Sequence, residues 1–118
     1  MSSETWWMVA ILAAGLVLVS RVMKGGKVAP NVVIEKIRAG ATVVDVRTPD
    51  EFRGGAYPGA LNIPLSDLAR RCGEIPRGRP VILYCASGFR SATAQRVLRQ
   101  AGFADVVNAG GLASMPQP

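Results

Sequence analysis

Val81-Ile82-Leu83-Tyr84-Cys85-Ala86-Ser87-Gly88-Phe89-Arg90-Ser91 is the stretch whose reading decides the fold. Four apolar residues in a row after Pro80 predict a short strand buried on both faces, as in a parallel sheet. From Arg90 onward the period becomes helical. Ala94, Val97, Leu98 and Ala101 fall at i, i+3, i+4 and i+7, with Gln95, Arg96, Arg99 and Gln100 between them. Ser91 is the expected N-cap and Gly102 the expected residue just past the helix end. A cysteine therefore stands at the carboxyl end of a strand, joined to a helix by a tight loop. Helix-start amides lack intrahelical partners and bear partial positive charge, so a loop wrapped around Cys85 makes an anion-binding concavity that favours the thiolate. Gly88 lets the backbone turn inward, and Arg90 adds a forked cation beside the sulfur.

Composition narrows the chemistry. The 118 residues include no histidine, which excludes Ser-His and Cys-His pairs and most zinc or iron sites. The two cysteines, Cys72 and Cys85, are too few for a four-thiolate site, and no metal or cofactor is expected. A nucleophilic cysteine here has to rely on backbone donors and nearby cations.

The chain outside this core divides into three parts. Trp6 to Val19 is an uncharged run, which Ser20 to Met23 extend to about the length a bilayer requires. Residues 1–23 are therefore expected to form a single transmembrane helix, and residues 6–23 to make the membrane contact. Arg21, Lys24 and Lys27 follow the run while only Glu4 precedes it, so the positive-inside bias places the remainder on the cytoplasmic side. Residues 24–30 read as a Gly- and Pro-punctuated linker. Residues 31–118 form one domain with 11 Lys and Arg against 7 Asp and Glu, a scattered net charge of +4. No aromatic platform accompanies these charges, and no nucleic-acid partner is expected.

Within that domain, Asn31 is the expected cap of a short helix closed by Gly40, and Ala41 to Arg47 reads as a β-branched strand. Thr48-Pro49-Asp50-Glu51 has the N-cap, N1 proline and N3 glutamate of a capping box. Ala60 to Pro64 predicts another strand. Leu65, Leu68, Cys72 and Ile75 recur at helical spacing, which places Cys72 in the core. Phe103 to Val107 supplies the last strand. Alternation of this kind predicts an α/β domain with a small, mainly parallel sheet flanked by helices, and ligands at the carboxyl ends of its strands.

Three blocks carry a family resemblance: Val43-Val44-Asp45-Val46-Arg47 with Glu51-Phe52, Pro58-Gly59-Ala60-Leu61-Asn62-Ile63-Pro64, and Tyr84-Cys85-Ala86-Ser87-Gly88-Phe89-Arg90-Ser91. In order and spacing they resemble a single-domain rhodanese, the thiosulfate sulfurtransferase family. Two departures stand out. Ala56 and Tyr57 replace the histidine frequent before the Pro-Gly-Ala turn, and Met115 stands where a tryptophan often follows the late Gly-Gly, implying a clipped C-terminal helix. Cysteine phosphatases sharing this fold have Cys-x5-Arg, whereas Cys85 to Arg90 is Cys-x4-Arg, a ring sized for one sulfur atom. The resemblance implies sulfur transfer through a Cys85 persulfide, from thiosulfate or a similar donor to cyanide, a thiol or an acceptor protein. It implies that the amides of Ala86, Ser87, Gly88, Phe89, Arg90 and Ser91 hold the outer sulfur, that the Ser87 hydroxyl adds a donor, and that Arg90 and Arg47 attract the dianion. Asp45 and Glu51 are expected as structural partners, and Phe89 as the wall of the mouth. The alternatives are a non-catalytic binding or sulfur-carrier module, or a small cysteine phosphatase or arsenate reductase.

Overall fold

The computed structural model describes residues 26–118. The expected transmembrane segment lies outside the described residues, and among these no helix is long and apolar enough to cross a membrane.

Four strands, β1 (Thr42–Asp45), β2 (Leu61–Asn62), β3 (Val81–Cys85) and β4 (Val106–Gly111), form one sheet in the order β2-β1-β3-β4, and every pairing is parallel. From β1 the chain first moves outward to β2, then returns to β3 on the other side and continues to β4. The direction therefore reverses between β1 and β3, and a crevice at their carboxyl ends is the place where such sheets bind ligands. Cys85 closes β3 at that crevice.

The period of two along β3 feeds two cores. Val81, Leu83 and Cys85 join Val44, Val46, Ile63, Leu68, Ala94, Leu98 and Phe103 on one face. Ile82 and Tyr84 join Val33, Val43, Ala109 and Met115 on the other. All five β3 residues are buried, as the apolar run predicted. The first face is covered by α4 (Phe89–Gln100) and by α3 (Leu68–Arg71), the second by α1 (Pro30–Arg38) and the C-terminal turn Leu112–Ser114. Met115, where the family often has tryptophan, is buried in the second core.

Several element ends differ from expectation, each for a local reason. Helix α1 is capped by Ala29 rather than Asn31, because Pro30, with its preset φ and no N–H, takes the first helical position. Lys27 and Val28, expected in the linker, already pair with β4, and the Val28 N–H donates to the Asn108 carbonyl at 2.9 Å. The stripe from Leu65 to Ile75 is not one helix. It breaks into a 3-10 turn at Leu65–Asp67, the four-residue α3, and a second 3-10 turn at Cys72–Glu74, as Ser66, Asp67 and Gly73 are poor helix-interior residues. Cys72 packs against the core but is only partly buried. The last strand begins at Val106, not Phe103. The Phe103 N–H is taken by the Leu98 carbonyl, and its ring lies in the core under the Arg77 guanidinium, 4.3 Å from the ring centre. Helix α2 (Pro49–Arg53) has the full predicted capping box. Thr48 Oγ1 accepts from the Glu51 N–H, and the Glu51 carboxylate accepts from the Thr48 N–H.

Candidate active site

Cys85 is wholly buried, yet it sits at the rim of the crevice, because β3 ends there and the loop folds back over it. The Gly88 N–H donates to Cys85 Sγ at 2.9 Å, and Ser91 Oγ lies 3.4 Å from the same sulfur. Burial pushes the thiol up. Donation from the Ser91 hydroxyl and from the N–H groups of Ser91, Gly88 and Ser87 outweighs it, so the thiol titrates below its ordinary value. The groups that lower it are all neutral donors, and none is an imidazole.

The loop geometry is set by β4. Gly88 has φ of 100° and precedes α4 as its N-cap, so the helix starts two residues before the expected Ser91 cap. Ser91 is drawn inward instead. Its hydroxyl lies 2.7 Å from Asn108 Oδ1, which also accepts from the Gly110 N–H at 2.8 Å, while Asn108 Nδ2 donates to the Gly88 carbonyl at 3.3 Å. Leu83 pairs with Asn108 but Cys85 with Gly111, so β4 fits an extra residue there, and Gly110 takes it up with φ of 89°. A Cβ on Gly111 would lie 2.4 Å from the Ala86 carbonyl oxygen. The two glycines thus let β4 press directly on the active loop. Sequence reasoning missed Asn108 and this role of Gly110-Gly111. A polar residue two places before a Gly-Gly pair at the end of an apolar strand was the available signal.

The arginines are placed differently from expectation. Arg47 is buried and bound to Asp45: Nη2 donates to Oδ2 at 2.7 Å, Nε to both carboxylate oxygens, and Nη2 also reaches the Gly55 carbonyl at 2.7 Å. It braces the chain after β1, and the expected role in attracting a dianionic donor does not fit these contacts. Arg90 does stand on the loop, but its Nη1 and Nη2 donate to the two oxygens of Glu51 at 2.7 and 3.0 Å. The Arg90 guanidinium, with help from Thr48, holds the Glu51 carboxyl down at about 2. Asp45 and Glu51 are thus the structural partners they were expected to be. Ala86, Ser87 and Phe89 form the exposed lip, and Phe89 is 83% exposed. The hydroxyl beside the sulfur belongs to Ser91 rather than Ser87. A groove of about 340 Å³, lined by Val46, Thr48, Pro64, Leu65, Ser66 and Arg90, opens next to the loop.

A donor-lined sulfur on a parallel α/β sheet matches a known architecture, and the family model of the rhodanese-like domain covers residues 29–114. The chain belongs to the rhodanese-like family. Among its relatives, the uncharacterized protein YqhL of Bacillus subtilis is 46% identical over 80 residues, covering 65% of this chain and 64% of that protein. A sulfurtransferase of Allochromatium vinosum is 44% identical over 69 residues, 58% of this chain and 64% of its own length. The chain thus spans a little under two thirds of each of these two relatives. The thiosulfate sulfurtransferase PspE of Escherichia coli is 35% identical over 64% of this chain and 74% of its own. Among solved structures, a rhodanese-related protein from Thermoplasma volcanium superposes with a TM-score of 0.66 at 35% identity, over 75% of this chain and 87% of that one. Rhodanese-like relatives of this chain thus include sulfurtransferases, and a putative sulfur carrier, YrkF of Bacillus subtilis, also matches at 33% identity over 56% of this chain and 36% of its own length.

Proposed function

We propose that this rhodanese-like domain is a sulfurtransferase that takes a sulfane sulfur from thiosulfate or a similar donor and passes it to cyanide or a thiol, small or protein-borne. The observation that carries the reading is the Gly88 N–H at 2.9 Å from a buried Cys85 sulfur. The Cys85 thiolate attacks the outer sulfur of the donor. The donor's S–S bond breaks and its electron pair leaves with sulfite, so that Cys85 bears a persulfide. An acceptor nucleophile attacks the outer sulfur of that persulfide and returns Cys85 as thiolate, which is ping-pong covalent catalysis. Backbone donors and the Ser91 hydroxyl suit both states, because thiolate and persulfide are each singly negative. The short Cys-x4-Arg ring, with an amide already against the sulfur, supports a one-atom cargo over a phosphoryl group.

Intact mass tests the reading. Thiosulfate should add one sulfur, about 32 Da, to the wild type and nothing to Cys85→Ala, and cyanide should remove it. Turnover equal to the Cys85→Ala control refutes the enzyme and leaves the carrier or binding module, and no labile sulfur from any donor refutes the carrier as well. The uncharged run from Trp6 to Val19, extended by Ser20 to Met23 and with Arg21, Lys24 and Lys27 on its C-terminal side, supports a tether to a membrane, the domain lying on the cytoplasmic side. Retention of the full chain in a carbonate-washed membrane fraction, lost when residues 1–25 are removed, checks that part.

A further inference from the structure

Within the loop Cys85 to Ser91, Arg90 is the only charged side chain. An arginine fork recognises an anion through two parallel N–H donors. Here both of its terminal nitrogens are on the two oxygens of Glu51, at 2.7 and 3.0 Å, in a bidentate pair that bridges 39 residues of sequence. Both partners are about one third exposed, so the pair stands at the mouth and not in the core. Glu51 is itself fixed. Its Oε1 also accepts from the Thr48 N–H and Thr48 Oγ1, each at 3.1 Å, and its own N–H caps on Thr48 Oγ1. The carboxylate is therefore held in place by α2 and cannot swing aside without opening that cap. Arg47, the other arginine near this crevice, is neutralised by Asp45. A dianion arriving at the loop meets amide dipoles and a cation whose charge is already matched.

We propose that Glu51 is a specificity-determining residue that sets the charge class of the sulfur donor, by neutralising Arg90 so that singly charged or neutral organic persulfides are favoured over the thiosulfate dianion. This rests on the sulfurtransferase reading above. With such a donor, RS–SH, the Cys85 thiolate attacks the terminal sulfur. The RS–S bond breaks, RS⁻ leaves with the bond's electron pair, and the terminal sulfur with its proton becomes the outer sulfur of the Cys85 persulfide. The donor brings no charge of its own, and the single charge of the thiolate leaves on RS⁻. With thiosulfate, three negative charges must be brought together at the loop, and only an unmatched Arg90 offsets them.

The test compares Glu51→Gln with wild type. Glutamine also closes a capping box and keeps the acceptor for Thr48, while removing the charge. Loading of Cys85 is followed by intact mass in single turnover with two probes, thiosulfate and 2-hydroxyethyl persulfide. In wild type the persulfide should load faster. In Glu51→Gln the ratio of thiosulfate to persulfide loading rates should rise about tenfold, the scale of one charge acting on a dianion across a partly solvated mouth. High salt should erase that rise, as it would for charge and would not for a loosened loop. A ratio that stays within twofold of wild type, or a rise indifferent to salt, overturns the role of Glu51. A Glu51→Gln chain that fails to fold does not rescue it, because wild type loading thiosulfate as fast as the persulfide overturns the proposal on its own. Failure of both probes to load wild type overturns the sulfurtransferase reading, and the selector with it.

Discussion

Substituting Gly111 by alanine tests whether β4 shapes the surroundings of the Cys85 thiol. Gly111 has φ of −88°, which any residue adopts, so no backbone strain enters and the effect is steric alone. The added Cβ would stand 2.4 Å from the Ala86 carbonyl oxygen and 3.1 Å from its carbon, both main-chain atoms that cannot rotate away. A comfortable C···O contact is about 3.3 Å, so strand and loop must part by about 0.9 Å. Ala86 lies two residues before Gly88, whose N–H is 2.9 Å from the sulfur. Carried through, the shift lengthens that contact to about 3.8 Å, where donation is weak. A hydrogen bond to a charged group contributes about 1.5–3 kcal/mol, equivalent to a ten- to hundredfold change in thiolate population. Since part of the bond survives, Gly111→Ala should alkylate with iodoacetamide about tenfold more slowly at a pH below the thiol's titration, and its pH–rate profile should move to higher pH. Thermal melting should fall modestly, by an overpacking cost of about 1–3 kcal/mol. Gly78, with nothing within 4 Å and no positive φ, supplies the control, and Gly78→Ala should leave the profile in place. A Gly111→Ala profile that overlays the wild type would show that the Ala86–Gly111 contact does not position the loop.

Three further outcomes follow from the same contacts. Ser91→Ala removes the hydroxyl 3.4 Å from Cys85 Sγ but leaves Asn108 Oδ1 its Gly110 donor, so the thiol should titrate higher and alkylation slow several-fold at fixed pH, with little change in urea midpoint. A large loss of stability with an unmoved thiol would reverse that assignment. Asp45→Asn leaves the buried Arg47 guanidinium without its charge partner and should cost about 3 kcal/mol in urea unfolding, the scale for breaking a buried pair; a cost near zero would mean the pair contributes nothing. Glu51 titrates at about 2 in the folded chain against an ordinary 4.5, chiefly through Arg90. Its folded value is depressed, so its stabilisation is full above about 4.5 and disappears as pH falls toward about 2. The stability gap between wild type and Glu51→Gln should close across that window, and a gap constant with pH would contradict it.

The α/β alternation was legible because each element had a pattern of its own. The solid apolar run of β3 could only be a doubly covered strand, and the capping box at Thr48 fixed the start of α2 to the residue. The ends of elements were less legible because tertiary contacts decide them. Ser91 has the chemistry of an N-cap, yet Asn108 recruits its hydroxyl across 17 residues, and the helix starts at the left-handed Gly88 instead. The two arginines show the same limit at the site. Asp45 and Arg47 lie two apart on an extended chain, where side chains share a side, so their pairing was readable from spacing. The pairing of Glu51 with Arg90 spans 39 residues and depends on α2 and α4 meeting at the crevice, which no local pattern states.

The Ser91 hydroxyl links these observations at the sulfur. It has one hydrogen and, besides the sulfur, three acceptors within reach: Asn108 Oδ1 at 2.7 Å, the Gly88 carbonyl at 3.1 Å and the Gly110 carbonyl at 3.5 Å. While Cys85 is a thiol, its S–H donates to Ser91 Oγ and the hydroxyl hydrogen rests on Asn108. Once the thiolate forms, the hydrogen turns to the sulfur, and Asn108 Oδ1 keeps the Gly110 N–H, so no buried acceptor is left unpaired. Because Gly88 N–H and Ser91 O–H are neutral, they stabilise a single negative charge on sulfur without adding a counter-charge that would have to be satisfied once the sulfur is protonated. A buried cation in that place would bind the thiolate more tightly and hold it back from attack, since nucleophilicity falls as the thiol grows more acidic. Neutral dipoles at 2.9 and 3.4 Å, set against the cost of burial, lower the thiol at a smaller penalty than a buried cation would exact.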